Sequence, residues 1–166
     1  EGKPNVVDII PLNTHSPEDC LQLAASAEKP SEHPLAQAIV ENCEERGLTL
    51  KETREFQAVP GLGVRAVVDE HRVLVGSLRF LQQEGVEISP ARQEAAKLEA
   101  QAKTVIGVVD NEKLIGILSV ADVVKKDAAE AIREMEEAGL TPVMLTGDNE
   151  QTAKAVAAMV GIKEVY

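Results

Sequence analysis

Hydrophobic positions along this chain keep two rhythms, and the places where the rhythm changes outline its parts. Val6, Val7, Ile9 and Ile10 make a first extended run, closed by Pro11 and Asn13. Ser16-Pro17-Glu18-Asp19 then reads as a helix start: a capping hydroxyl, a proline at the first helical position and acids in the first turn. That helix is predicted to run to about Glu28. Lys29 precedes Pro30, a pairing that disfavours the α region at Lys29 and is expected to stop the helix. A second helix starts directly at Pro34, with Leu35, Ile39 and Cys43 at four-residue spacing and Gly47 as its stop. Two helices joined this tightly form a hairpin, which brings Glu28 to the elbow beside His33. Ser31 and Glu32 are the candidates for the cap of the second helix.

Beyond Gly47 the period shortens to two. Phe56, Ala58 and Val59 lead into Pro60-Gly61-Leu62-Gly63, after which Val64, Ala66 and Val68 alternate with Arg65, Val67 and Asp69. This predicts strand, glycine turn, strand. Asp69-Glu70-His71 is a polar tip, with His71 expected to be solvated, and Val73-Leu74-Val75 is a third strand ending on Gly76-Ser77. Leu78 to Gln83 is predicted as a short helix stopped by Gly85, and Ser89-Pro90 opens an alanine-rich helix reaching about Ala102. Val105–Val109 and Leu114–Val120 flank the polar segment Asp110–Lys113 and predict a hairpin. The first 120 residues therefore read as an α+β layer: an antiparallel sheet flanked by helices.

From Ala121-Asp122 the grammar changes. A helix is predicted over Asp127–Ala138, closed by Gly139, followed by Val143-Met144-Leu145, a short all-apolar strand of the kind buried on both faces of a parallel sheet. Thr146-Gly147-Asp148-Asn149 and a helix from about Glu150 to Val160 come next, closed by Gly161. Helix, buried strand, polar loop, helix is a fragment of a doubly wound α/β fold. Ligands in such folds bind outside the carboxyl ends of the strands, where Thr146 and Asp148 fall. One such strand makes no sheet, so this second unit is expected to be incomplete.

Composition narrows the function classes. The 166 residues carry a formal net charge of −11, which leaves no basic face to release counterions from nucleic acid and disfavours anionic membrane surfaces. Apolar residues make up 44% of the chain but aromatic ones only 2%, so the core is predicted to be aliphatic. Cys20 and Cys43 stand among helical apolar residues with no ligand partner nearby in sequence, and read as reduced core thiols. No long apolar span is present, so the segment is expected to be soluble.

Three stretches carry candidate chemistry. Glu32-His33 pairs a carboxylate with an imidazole at a helix entrance, a place where a ligand can be met. Gly61-Leu62-Gly63 joins two strands rather than opening a helix, so it fails as a dinucleotide fingerprint. Its glycines allow a sharp bend and the close approach of a flat ligand; a plain glycine hairpin is the other reading, and Gly76 has the same two. Thr146-Gly147-Asp148 offers a hydroxyl, backbone N–H groups and a carboxylate suited to a phosphoryl group with Mg²⁺, and equally a cap for the next helix. No P-loop, kinase motif set, GxSxG or metal-ligand cluster is present. By itself the chain reads as a binding module joined to part of a catalytic one.

Ser31-Glu32-His33-Pro34-Leu35, Ala58–Val64, Val73-Leu74-Val75-Gly76 and Met144–Asn149, in this order, resemble the heavy-metal class of P-type ATPases, the membrane pumps that export copper, zinc, cadmium and related ions. The resemblance covers nearly the whole chain. It implies a nucleotide-binding domain over residues 6–120 and part of a phosphorylation domain, haloacid-dehalogenase-like, over 121–166. It implies that Glu28 accepts a hydrogen bond from the adenine amino group, that His33 sits against or orients the ATP, and that Gly61, Gly63 and Gly76 line the purine and ribose cavity. Thr146 and Asp148 would act at the phosphoryl group, with no metal ligands assigned. ATP or ADP would be the ligand and Mg²⁺ a cofactor of the intact pump. The partners would be the remaining phosphorylation, actuator and transmembrane domains, and the segment a monomeric cytoplasmic domain of an integral membrane protein.

The phosphorylated DKTGT motif and the GDGxND motif of that class are absent, so the segment is expected to bind ATP without forming the phosphoenzyme. Two positions depart from the class: Ser77 stands where asparagine is common, and Asp122–Lys126 contains no hinge proline. The alternatives are a haloacid-dehalogenase-type phosphatase, whose DxD or DxT nucleophile is missing here, and a non-enzymatic nucleotide-binding regulatory domain.

Overall fold

A computed structural model of the chain describes residues 3–122, 128–145 and 150–166. Strand β1 (Pro4–Pro11) leads into helices α1 (Pro17–Glu28) and α2 (Pro34–Glu45). Strands β2 (Thr53–Val59), β3 (Gly63–Val68) and β4 (His71–Gly76) follow, then α3 (Leu78–Gln83), α4 (Ser89–Glu99), β5 (Thr104–Asp110) and β6 (Lys113–Asp122). All six strands form one antiparallel sheet in the order β1-β6-β5-β4-β3-β2.

Alternation along the central strands divides the core. Ile106 and Val108 of β5 and Leu118 of β6 join Val64, Val73 and Val75 beneath α1 and α2, where Leu21, Ala25 and Ile39 are fully enclosed. Val105 and Val109, with Ile117 of β6, face the opposite way and pack under Phe80 and Leu81 of α3 and Ala91, Ala95 and Leu98 of α4. The sheet is thus covered on both faces, and α1 is buried along most of its length.

Local chemistry sets the helix ends. Ser16 Oγ accepts from the Asp19 N–H and Asp19 Oδ2 accepts from the Ser16 N–H, both at 3.0 Å, a reciprocal capping box. Ser26 is fully buried and ties α1 to the segment entering β2. Its Oγ donates to the Gln22 carbonyl at 2.6 Å and accepts from the Lys51 N–H at 2.9 Å, while its carbonyl accepts from Thr53 Oγ1 at 2.6 Å. Helix α4 ends at Glu99, short of the predicted Ala102. Ala102 has φ +60°, because the chain turns there to enter β5 while buried Leu98 stays anchored. Both cysteines are buried free thiols, and burial pushes the Cys20 thiol up to about 11.

After β6 comes an α/β fragment: α5 (Ala128–Glu137), β7 (Val143–Met144), α6 (Glu150–Val160) and β8 (Glu164–Val165). Strands β7 and β8 pair in parallel, a partner for β7 that periodicity did not reveal because two residues carry no period. The expectation of a strand buried on both faces is corrected. Val143 is 48% and Leu145 86% exposed, and Met135 on α5 is also exposed, since the described residues supply no second layer over them. Asp127 and the Thr146–Asn149 loop lie outside the described residues.

Candidate functional site

Glu28 is the last residue of α1, and only 8% of its surface is exposed. Burial holds its carboxyl up at about 7, and the Ser31 hydroxyl beside it opposes that rise. The link between α1 and α2 is tight: the Ser31 N–H donates to the Glu28 carbonyl at 2.8 Å, and the His33 N–H donates to Ser31 Oγ at 3.3 Å.

His33, not Ser31 or Glu32, is the N-cap of α2. Its Nδ1 accepts from the Leu35 N–H at 3.2 Å, because the extended backbone at His33 folds the imidazole back over the first turn. With Nδ1 an acceptor, the neutral ring carries its proton on Nε2.

The opposite wall comes from the sheet. Pro60 and Gly61 sit at the centre of a turn closed by the Leu62 N–H donating to the Val59 carbonyl at 3.0 Å. Gly61 has φ +70°, as position i+2 of a type II turn requires. Gly63 and Gly76 face one another in the β3–β4 register, and a Cβ on either would collide with the other's Cα and with the Phe80 ring. The two strands are therefore pressed together at this edge. The Leu62 carbonyl accepts from the Ser77 N–H at 3.0 Å, and Ser77 Oγ caps α3 through the Phe80 N–H.

These pieces enclose one cavity of about 280 Å³. Glu28, Ser31 and His33 line one side, and Gly61, Gly63 and Gly76 the other. Thr104, Val105 and Ile106 of β5 close the floor, with Leu35 and Ala36 from α2. Five residues singled out in the sequence thus meet in one place. The β5 contribution was not visible there: Val105 and Ile106 read as plain core, and only Thr104, a hydroxyl at a strand start, offered any signal. Ser31 was noted as a possible cap but not as a neighbour of Glu28; the spacing Ser-x-His, which lets a hydroxyl accept from an amide two residues on, was its signal. Thr146 and Asp148 lie outside the described residues.

The cavity suits a flat, mostly apolar ligand that offers a donor to a carboxylate and an acceptor to an imidazole N–H. Elsewhere, His71 is exposed as expected but is held by Asp110, Nδ1 to Oδ1, at 2.7 Å. Among the described residues, no group of three or more His, Cys, Asp or Glu side chains is placed to hold a metal ion. No helix of the described residues is long and apolar enough to cross a membrane.

Three comparisons with known proteins bear on this site. The copper-exporting P-type ATPase of Staphylococcus aureus (strain JH9) is 42% identical over 165 residues, 99% of this chain, and the chain spans 20% of that protein's length. Among solved structures, a zinc-transporting PIB-type ATPase in its E2.Pi state superposes with a TM-score of 0.89 at 34% identity, over 99% of this chain and 26% of that one. The N-domain of the copper-transporting P-type ATPase HMA6 matches 72% of this chain and 99% of its own, with a TM-score of 0.61 at 26% identity. The family model for haloacid dehalogenase-like hydrolases matches residues 1–166. The chain belongs to the haloacid dehalogenase-like hydrolase family, and its relatives within it are heavy-metal P-type ATPases.

Proposed function

We propose that this chain is the ATP-binding module of a heavy-metal-exporting P-type ATPase, with residues 6–120 as the nucleotide-binding domain and 121–166 as part of the phosphorylation domain. The observation that carries the reading is the convergence of Glu28, His33, Gly61, Gly63 and Gly76 on one cavity, in a chain related to such pumps over its whole length. Glu28 accepts from the adenine amino group, and His33 donates through Nε2. The paired glycines leave a flat wall for the purine and ribose. On this reading the adenosine sits in the cavity and the phosphates point out of its mouth.

In the intact pump the module positions ATP so that an aspartate of the phosphorylation domain takes the γ-phosphoryl group. Thr146 and Asp148, from the sequence resemblance, serve that group. The work of this segment is positioning, which removes the entropic cost of bringing the reactants together. Mg²⁺ belongs to the phosphoryl end. The described residues hold no donor set for it, so no step is assigned to it in this chain. On this reading the segment is a cytoplasmic domain of a membrane protein, working with the remaining phosphorylation, actuator and transmembrane domains.

Isothermal titration with ATP, ADP, AMP and GTP tests the reading, together with amide chemical-shift mapping. The three adenine nucleotides are expected to bind within about tenfold of one another, a spread of ~1.4 kcal/mol, with little dependence on Mg²⁺ and with shifts at Glu28, His33, Gly61 and Gly76. GTP is expected to bind more weakly. Equal binding of GTP, or shifts clustered elsewhere, overturns it.

A further inference from the structure

We propose that Ser31 is a positioning residue of the nucleotide site: its hydroxyl, held between the Glu28 carboxyl and the His33 amide, fixes the two ligand-facing side chains relative to each other. The inference rests on the adenine-nucleotide reading of the cavity.

Glu28 and His33 belong to different helices, and nothing in either helix alone sets their separation. Two hydrogen bonds of Ser31 bridge them. Its N–H donates to the Glu28 carbonyl at 2.8 Å, which closes the end of α1. Its Oγ accepts from the His33 N–H at 3.3 Å, at the extended residue that caps α2. The hydroxyl proton remains, and the Glu28 carboxyl lies beside it. A serine oxygen has one proton to give and two lone pairs, so a single hydroxyl is able to donate to one neighbour while accepting from the other. Ser31 itself lines the cavity.

The hydroxyl also biases the charge of Glu28. Burial favours the neutral acid, whereas a donated hydrogen bond favours the carboxylate, the form that accepts from an amino group. Of the residues lining the cavity, only Glu28 and His33 carry ionisable side chains; the β2–β3 turn, the end of β4 and the start of β5 contribute glycines, apolar side chains and the hydroxyls of Ser77 and Thr104. Lys29 and Glu32 flank the elbow on its exposed side, and Lys103, beside Thr104, is paired with Asp8 at 2.8 Å.

The test compares Ser31→Ala and Ser31→Thr with the parent chain, measuring ATP affinity by isothermal titration from pH 5.5 to 8.5. The Glu28 carboxyl is followed by carbon-detected NMR without nucleotide. Ser31→Ala is expected to bind ATP about three- to tenfold more weakly at neutral pH, an effect on the scale of one net hydrogen bond. The acid limb of its affinity profile and the Glu28 titration both move to higher pH. Ser31→Thr, which keeps the hydroxyl, restores all three. Should Ser31→Ala bind ATP with parental affinity and profile, Ser31 is no positioning residue, while the nucleotide reading stands. Should the parent chain bind no adenine nucleotide at any pH, both fall. An unmoved Glu28 titration in Ser31→Ala overturns the inference even if that variant is less stable.

Discussion

The Nδ1 atom of His33 accepts a hydrogen bond from the Leu35 N–H at 3.2 Å, so the same imidazole that faces the cavity also starts helix α2. Two tasks fall on one ring, and they can be separated. His33→Ala removes both, and is expected to cost about 1 kcal/mol of stability, the usual loss for a missing N-cap acceptor. His33→Asn keeps an acceptor at the cap and is expected to stay within a few tenths of a kcal/mol of the parent. Both are expected to lose at least about threefold in ATP affinity, because neither presents Nε2–H. Urea denaturation and isothermal titration on the two variants read the two effects separately. Parental affinity in His33→Asn would assign the ring to the cap alone.

Glu28 gives the chain a pH-dependent stability whose sign follows from burial. Its ordinary value is 4.5, and in the folded chain it is about 7. Between these values the folded chain holds a proton that the unfolded chain releases, so this group's contribution is fully present below about pH 4.5. It is lost as pH rises toward 7 and is flat above that. Glu28→Gln is expected to abolish the slope and to raise stability at pH 8 by about 2–3 kcal/mol, while lowering ATP affinity. Denaturation midpoints of both chains at pH 5 and pH 8 check it.

The glycines separate by cause. Gly61→Asn is expected to cost under ~1 kcal/mol, because asparagine tolerates the left-handed conformation and open space lies around that Cβ position. Gly76→Ala and Gly63→Ala are expected to cost about 1–3 kcal/mol or more, since the added methyl meets the facing strand's backbone. Thermal denaturation ranks the three, and parental stability in both alanine variants would show that the edge opens without cost.

Ser26 is the buried joint beneath the elbow. Ser26→Ala leaves the Lys51 N–H without its acceptor and is expected to cost about 1–3 kcal/mol. Faster hydrogen exchange at the Lys51 amide would accompany the loss. Unchanged exchange there would mean that the amide has found another partner.

Much of the fold was legible because its signals are local. The Ser16 capping box, the Pro34 helix start, the Pro60-Gly61 turn and the hairpin at Asn111-Glu112 are each written within four residues. What was not legible is non-local. Nothing in the period of β1 says that its partner is β6, more than a hundred residues on. Nothing in Thr104–Ile106 distinguishes a cavity floor from ordinary core. The site was read as far as the motifs carry it: Glu28 and His33 share an elbow by sequence, but their meeting with Gly61, Gly63 and Gly76 depends on the packing of α1 and α2 over β3 and β4. The exposure of Val143 and Leu145 was hidden for the opposite reason, since an apolar run shows what a strand is suited to and not whether anything covers it.

Pro4 and Asp122 are partners across the β1–β6 ladder, so the chain enters and leaves the sheet at points about 5 Å apart. The six-stranded layer is in that respect a cassette with a single doorway. It can be spliced into a host chain without forcing the flanking segments apart. Any tilt of the cassette bends both jambs together and reaches the host on both sides at once.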